Sequence, residues 1–124
     1  MSATEVSAVT LRALEILSNH LDAPQMPLQV AITFLHVATR GEVHMSDLEQ
    51  LVGLSKPTLS RTVAMLGRGI NLDKPGYNLV QTAEDLQNRK YKIVTLTEAG
   101  KSLLKEVEKK GGAWKRLQES REEN

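Results

Sequence analysis

The sequence contains no cysteine. That absence excludes disulfide frameworks, thiolate zinc sites, thiol redox sensors and cysteine nucleophiles together. Aromatic residues are nearly as scarce: one Trp, one Phe and two Tyr in 124 residues give little support to an aromatic-lined ligand pocket. No long apolar run is present either. The most hydrophobic window, residues 30–38, is interrupted by Thr33 and His36 and reaches only about half a membrane span. The start, Met1-Ser2-Ala3-Thr4-Glu5, lacks the basic region of a secretory signal. A soluble, cytoplasmic, globular protein with no membrane partner is therefore expected. There is no Gly-rich phosphate loop, no nucleophile with an evident base and no acidic pair of catalytic character, so no enzymatic activity is expected. His20, His36 and His44 form no close ligand cluster in sequence, and no metal or other cofactor is expected.

Neither sign of charge dominates the composition. Sixteen Lys and Arg stand against fifteen Asp and Glu, a formal net charge of +1. The distribution is uneven. Residues 1–54 hold two basic and six acidic residues, whereas residues 55–92 hold seven basic (Lys56, Arg61, Arg68, Lys74, Arg89, Lys90, Lys92) and three acidic ones. A positive block inside a near-neutral chain is a local field, and local fields steer polyanions.

Apolar periodicity predicts a helix over residues 5–21, with Thr4 as its cap and Val6, Val9, Ala13 and Leu17 on one stripe. Leu11, Leu14 and Ile16 widen that stripe beyond what one monomer's surface helix requires. Pro27 suits the first turn of a second helix, which Arg40-Gly41 ends. After a stub of strand at Val43-His44-Met45, Ser46 is expected to cap a short helix that Gly53 stops. Ser55 caps the next helix, Pro57 lies in its first turn, and Gly67 and Gly69 end it. Leu48, Leu51, Leu59, Val63 and Leu66 are read as the core joining these two helices. Two short helices about a tight Gly-containing turn form a helix-turn-helix pattern. Residues 77–82 and 91–96 are then predicted as a β-hairpin with a charged tip, after a turn at Lys74-Pro75-Gly76. Thr97 caps a last helix bearing Leu103, Val107, Trp114 and Leu117.

The element order predicts a mainly α fold with a small β-hairpin wing: a winged helix-turn-helix with flanking terminal helices. A helix-turn-helix lays its second helix in the major groove with its N-terminal residues on base edges. Ser55, Lys56, Pro57, Thr58, Ser60 and Arg61 occupy that end, where hydroxyls admit a phosphate, Lys56 can reach guanine, and the Thr58 methyl can meet thymine. Arg89, Lys90 and Lys92 sit on or beside the wing tip, within reach of a minor groove or the flanking backbone.

Residues 27–104 resemble the MarR family of winged-helix transcriptional regulators. The resemblance is carried by Met45-Ser46-Asp47-Leu48-Glu49-Gln50-Leu51-Val52-Gly53-Leu54-Ser55, by Thr58-Leu59-Ser60-Arg61-Thr62-Val63, and by Val94-Thr95-Leu96-Thr97-Glu98-Ala99-Gly100. Asp85 and Arg89 stand where that family's wing carries an Asp and an Arg. Two readings of them remain: an ion pair that shapes the wing, or Arg89 itself on DNA. The link from Gly69 to Asn78 is longer than the family's usual one, and Lys-Pro-Gly-Tyr within it is similar to forms carried by phages and prophages. The resemblance implies a division into an N-terminal dimerisation helix (1–26), a DNA-binding domain (27–97) and a C-terminal dimerisation helix (98–124). It also implies a homodimer on double-stranded DNA, acting as a repressor on an imperfect palindrome; whether a small-molecule effector controls it stays open. Val6, Val9, Ala13, Leu17, Leu103, Val107, Trp114 and Leu117 are the expected dimer residues. Two alternatives stay open: an accessory DNA-binding protein of phage or plasmid replication or packaging, and a protein-interaction module that has lost DNA binding.

Overall fold

A computed structural model describes residues 2–20 and 26–109. Trp114 and Leu117 lie outside the described residues. The chain divides into two compact units, one formed by residues 1–25 with 102–124 and the other by residues 26–101.

In the first unit, α1 spans Ala3–His20. Ser2, rather than Thr4, supplies its cap, its Oγ accepting the Glu5 N–H at 3.2 Å. Ala13 and Leu17 are buried, whereas Val6, Leu11 and Leu14 remain exposed. The same unit contains most of a helix over residues 98–109, α5, on which Leu103 is buried.

The second unit opens with α2 (Leu28–Arg40), α3 (Met45–Val52) and α4 (Lys56–Leu66). α2 buries Val30, Ala31, Thr33, Phe34 and Val37 and packs against α3, α4 and β5 (Lys92–Leu96). Thr33 is fully buried at no hydrogen-bonding penalty, because its Oγ1 donates to the Gln29 carbonyl at 2.7 Å. Gly41 and Gly53 end α2 and α3 at φ +77° and +76°, a backbone that glycine adopts without strain.

α3 begins two residues earlier than its sequence suggests, with His44 rather than Ser46 at the cap position. β1 (Glu42–His44) pairs antiparallel with β5 as far as His44 opposite Ile93, so the chain passes from strand straight into helix. Ser46 therefore lies inside the first turn, and His44 occupies the cap position without a side-chain cap bond. Leu48 is fully buried, but Leu51, expected in the core, is 41% exposed. In a helix of eight residues, one inward stripe is filled by Leu48, and Leu51 lies at its edge.

The link between α4 and the wing is a second hairpin rather than a loop. β2 (Gly69–Asn71) pairs with β3 (Lys74–Pro75). The turn is at Leu72-Asp73, where Asn71 Oδ1 accepts the N–H groups of Asp73 and Lys74, so Lys74-Pro75 is strand and not turn. The returning chain crosses its own start: a Cβ on Gly76 would fall on the Gly67 carbonyl oxygen. Residues 77–79, expected as strand, instead cap α4. The N–H groups of Tyr77, Leu79 and Asn78 donate to the carbonyls of Met65, Leu66 and Gly67, satisfying acceptors that a helix end leaves open.

The wing is β4 (Val80–Glu84) with β5, completing a sheet of order β1-β5-β4. Val80 faces Leu96 and Thr82 faces Val94 in its register. Val80, Val94 and Leu96 are buried, while the rest of β4 is exposed. The wing is thus anchored at its base, and β4 is exposed beyond Val80, which explains why its sequence alternates poorly. At the base, Thr97 caps α5, its Oγ1 accepting the Gly100 N–H at 3.0 Å and donating to the Asn78 carbonyl at 2.6 Å.

Candidate nucleic-acid interface

α4 is sharply two-sided. Leu59, Thr62, Val63 and Leu66 are buried, while Ser55, Lys56, Pro57, Thr58, Ser60 and Arg61 are all exposed. Its leading end is therefore open. Ser55 holds the extended cap backbone, yet its hydroxyl does not bond the helix N–H groups; it donates to Thr58 Oγ1 at 2.9 Å. The first-turn N–H groups of α4 consequently have no side-chain cap from Ser55, and the turn holds no acidic residue, an arrangement hospitable to an anion.

α4 and the wing share a cleft of about 550 Å³. Ser60, Ala64 and Arg68 line it from the helix side, and Gln81, Thr82 and Lys92 from the wing. Ser60 and Lys92, singled out separately in sequence, are thus brought together. Arg68 and Gln81 join them without having been assigned a role. Arg68 belonged to the basic block, which was the available signal; Gln81 had none, because its direction depends on the register of β4.

Arg89 and Lys90 lie in the turn between β4 and β5, both exposed, and Lys92 is exposed at the start of β5. Among the described residues, none of the seven cations of the 55–92 block enters an ion pair. Asp85 and Arg89 do not pair. Asp85 turns instead to His44, whose Nε2 donates to Asp85 Oδ2 at 2.9 Å across 41 residues of sequence. The other carboxylate oxygen accepts the Gln87 N–H at 2.9 Å, and the Asp85 N–H donates to the Tyr91 carbonyl at 2.9 Å. Asn88 continues the order, its Oδ1 accepting the Lys90 N–H at 3.3 Å and its N–H donating to the Asp85 carbonyl at 3.1 Å. The Tyr91 and His44 rings meet edge to face, with centroids 6.2 Å apart.

The hydrogen bond to Asp85 raises the His44 pKa above its ordinary value, against a smaller opposing desolvation. Reciprocally, His44 first and then the Gln87 N–H hold the Asp85 carboxyl below the usual carboxylate range. The imidazolium's contribution is complete below the unfolded histidine pKa and is lost as pH rises through the raised one. The carboxylate's is present above its unfolded value and lost as pH falls through the depressed one. The charged pair therefore exists between those two limits.

Comparison with solved structures places this architecture. A transcriptional regulator of Thermotoga maritima superimposes with a TM-score of 0.71 at 17% identity, over 93% of this chain and 72% of that one. The fold is that of a MarR-type winged helix-turn-helix. AbsC, a MarR family transcriptional regulator from Streptomyces coelicolor, is similar at a TM-score of 0.57 and 21% identity, over 91% of this chain and 76% of its own. A mutant MarR of E. coli, solved in complex with operator DNA, is similar at 0.56 and 12%, over 84% and 69%. No family profile matches the sequence, and no curated protein matches it either. Within this fold, α4 is the second helix of the helix-turn-helix and the 85–91 turn is the tip of the wing.

The expected dimer residues divide. Val6 is exposed, Val9 and Val107 are half-buried, and Ala13, Leu17 and Leu103 are buried within the chain. Among the described residues, no group of three or more His, Asp or Glu side chains is placed to hold a metal ion, and no helix is long and apolar enough to cross a membrane.

Proposed function

We propose that this chain is a sequence-specific regulator of transcription that binds double-stranded DNA as a homodimer and represses by occupying an imperfect palindrome. The observation that carries this reading is the pairing of an uncovered, acid-free α4 N-terminus with a cleft lined by both Arg68 and Lys92, in a block whose cations enter no ion pair among the described residues. Lys56, Thr58 and Arg61 serve base edges from α4, with Pro57 setting the first turn, and Ser55 and Ser60 take phosphates. Arg89 and Lys90 at the wing tip, with Lys92 and Arg68 in the cleft, engage the flanking backbone. Phosphate contacts supply most of the affinity, and the start of α4 supplies sequence choice. Residues 27–97 form the binding domain, and the flanking segments 1–26 and 98–124 pair two copies. Their apolar side chains left open on α1, namely Val6, Leu11 and Leu14, support that role.

Selection of bound sites from random duplex DNA tests the proposal. The expected product is a two-fold site whose half-sites lie about one DNA turn, roughly 34 Å, apart. Absence of salt-sensitive binding to any duplex overturns it.

A further inference from the structure

The wing tip carries its cations on a turn beyond the last residue that β1 pairs, Ile93 opposite His44, so backbone pairing with β1 does not reach the turn itself. Asp85 opens that turn, and its carboxylate has two bonds with different jobs. Oδ1 closes the turn locally through the Gln87 N–H; Oδ2 reaches out to His44, at the junction of β1 and α3. His44 is the only side chain outside the wing that bonds Asp85 among the described residues. Its ring also meets the Tyr91 ring, edge to face, on the far side of the turn. One imidazole thus touches both ends of the tip and stands at the first turn of the helix-turn-helix.

We propose that His44 is the positioning residue of the wing: it ties the Asp85–Tyr91 turn to α3, and the wing's share of DNA binding depends on the protonation of this imidazole. The inference rests on the DNA-binding reading above. The groups facing the ring come from every neighbouring element. Asp85 and Tyr91 belong to the wing, Asp47 of α3 lies 4.0 Å from Nδ1, and Glu42 of β1 adds a further negative charge. Arg40, at the end of α2, lines the same groove, but its guanidinium bonds His36 Nδ1 at 3.0 Å. Three carboxylates and one cation engaged elsewhere favour the imidazolium. When the ring is neutral, a hydrogen bond to the Asp85 carboxylate survives only in the Nε2–H tautomer and loses the donor's charge, leaving a weaker bond without the ion pair.

The test compares the full-length wild type with His44→Gln, His44→Ala and Asp85→Asn, by binding to a duplex selected as above, across pH of about 6 to 8.5 and across salt concentration. Wild-type affinity is expected to fall as the pH rises through the raised His44 pKa. His44→Gln keeps a neutral donor and should bind with a flatter pH profile. His44→Ala and Asp85→Asn should lose up to about two units of salt slope, the share of Arg89 and Lys90, with thermal midpoints near the wild type. In the free protein, backbone amide resonances of residues 86–90 should shift with the His44 ring titration and stay pH-independent in His44→Gln. Wild-type and His44→Gln profiles that coincide, with equal salt slopes for all variants, overturn the proposal. Wild-type protein that binds no duplex overturns the DNA reading instead, and the amide titration then still reports on the clamp.

Discussion

Lys56 and Lys90 carry the same charge and have different physics. Lys56 is the first residue of α4, exposed and fixed on a rigid element. Lys90 sits on a turn. A lysine held against a base edge discriminates, whereas a lysine near the backbone neutralises. Lys56→Ala should therefore lose about 1–3 kcal/mol on the best site and relax preference at one base pair. Lys90→Ala should weaken specific and random DNA alike and reduce the salt slope by about one unit. Titrations on a selected and a scrambled duplex at several salt concentrations measure both effects. Equal losses by the two mutants on both duplexes contradict this division. Thr58 also serves two ends: its carbonyl accepts from Thr62 and its hydroxyl from Ser55, so Thr58→Val probes the exposed hydroxyl while leaving the backbone bond intact.

Among elements, the β2–β3 hairpin and the base of the wing depend on backbone crossings too tight for a side chain. A Cβ on Gly76 meets the Gly67 carbonyl, and one on Gly100 meets the Leu79 carbonyl. Both carbonyls already accept hydrogen bonds, from the Asn78 and Thr97 N–H groups, so neither can move freely. Gly76→Ala and Gly100→Ala should each destabilise by about 1–3 kcal/mol, read as a lowered midpoint in thermal or urea unfolding. Gly53 provides the contrast. Open space surrounds it and only its φ of +76° resists substitution, so Gly53→Asn should cost less than Gly53→Ala. The reverse order would show that crowding, rather than backbone conformation, governs that turn.

For the assembled protein, the relevant contrast is between apolar side chains already buried and those still exposed. Ala13, Leu17 and Leu103 are buried within the chain, but Leu11 and Leu14 are 56% and 36% exposed. Leu11→Glu with Leu14→Glu should leave the unfolding midpoint of residues 26–101 intact and halve the mass seen by sedimentation. Affinity for a palindrome should fall to that for a single half-site, because two linked contacts act as one binding event. A wild-type protein that sediments with the mass of one chain at all concentrations contradicts the paired arrangement.

Helix ends were legible because their causes lie within a few residues, Gly41 and Gly53 with positive φ; of the beginnings, Pro57 in a first turn and the Thr97 hydroxyl three residues before Gly100 were legible, whereas α1 and α3 start from Ser2 and His44 rather than from Thr4 and Ser46. The charge of the 55–92 block was legible for the same reason, since composition needs no coordinates. Contacts between distant segments were not. Asp85 and Arg89, four apart, left an ion pair as one of two readings, yet the carboxylate found His44 far back in the chain, because β1 and β4 flank β5 and so share its surroundings. Leu51 matched the apolar stripe but lies at its edge, 41% exposed. Residues 77–79 have strand-like composition and became the cap of α4, since that helix's last carbonyls needed donors and the crossing at Gly67 and Gly76 brought them there. Local hydrogen-bond chemistry and side-chain period determine which elements form. Strand pairing and backbone approach determine which side chains meet, and neither leaves a mark in the order of residues along one segment.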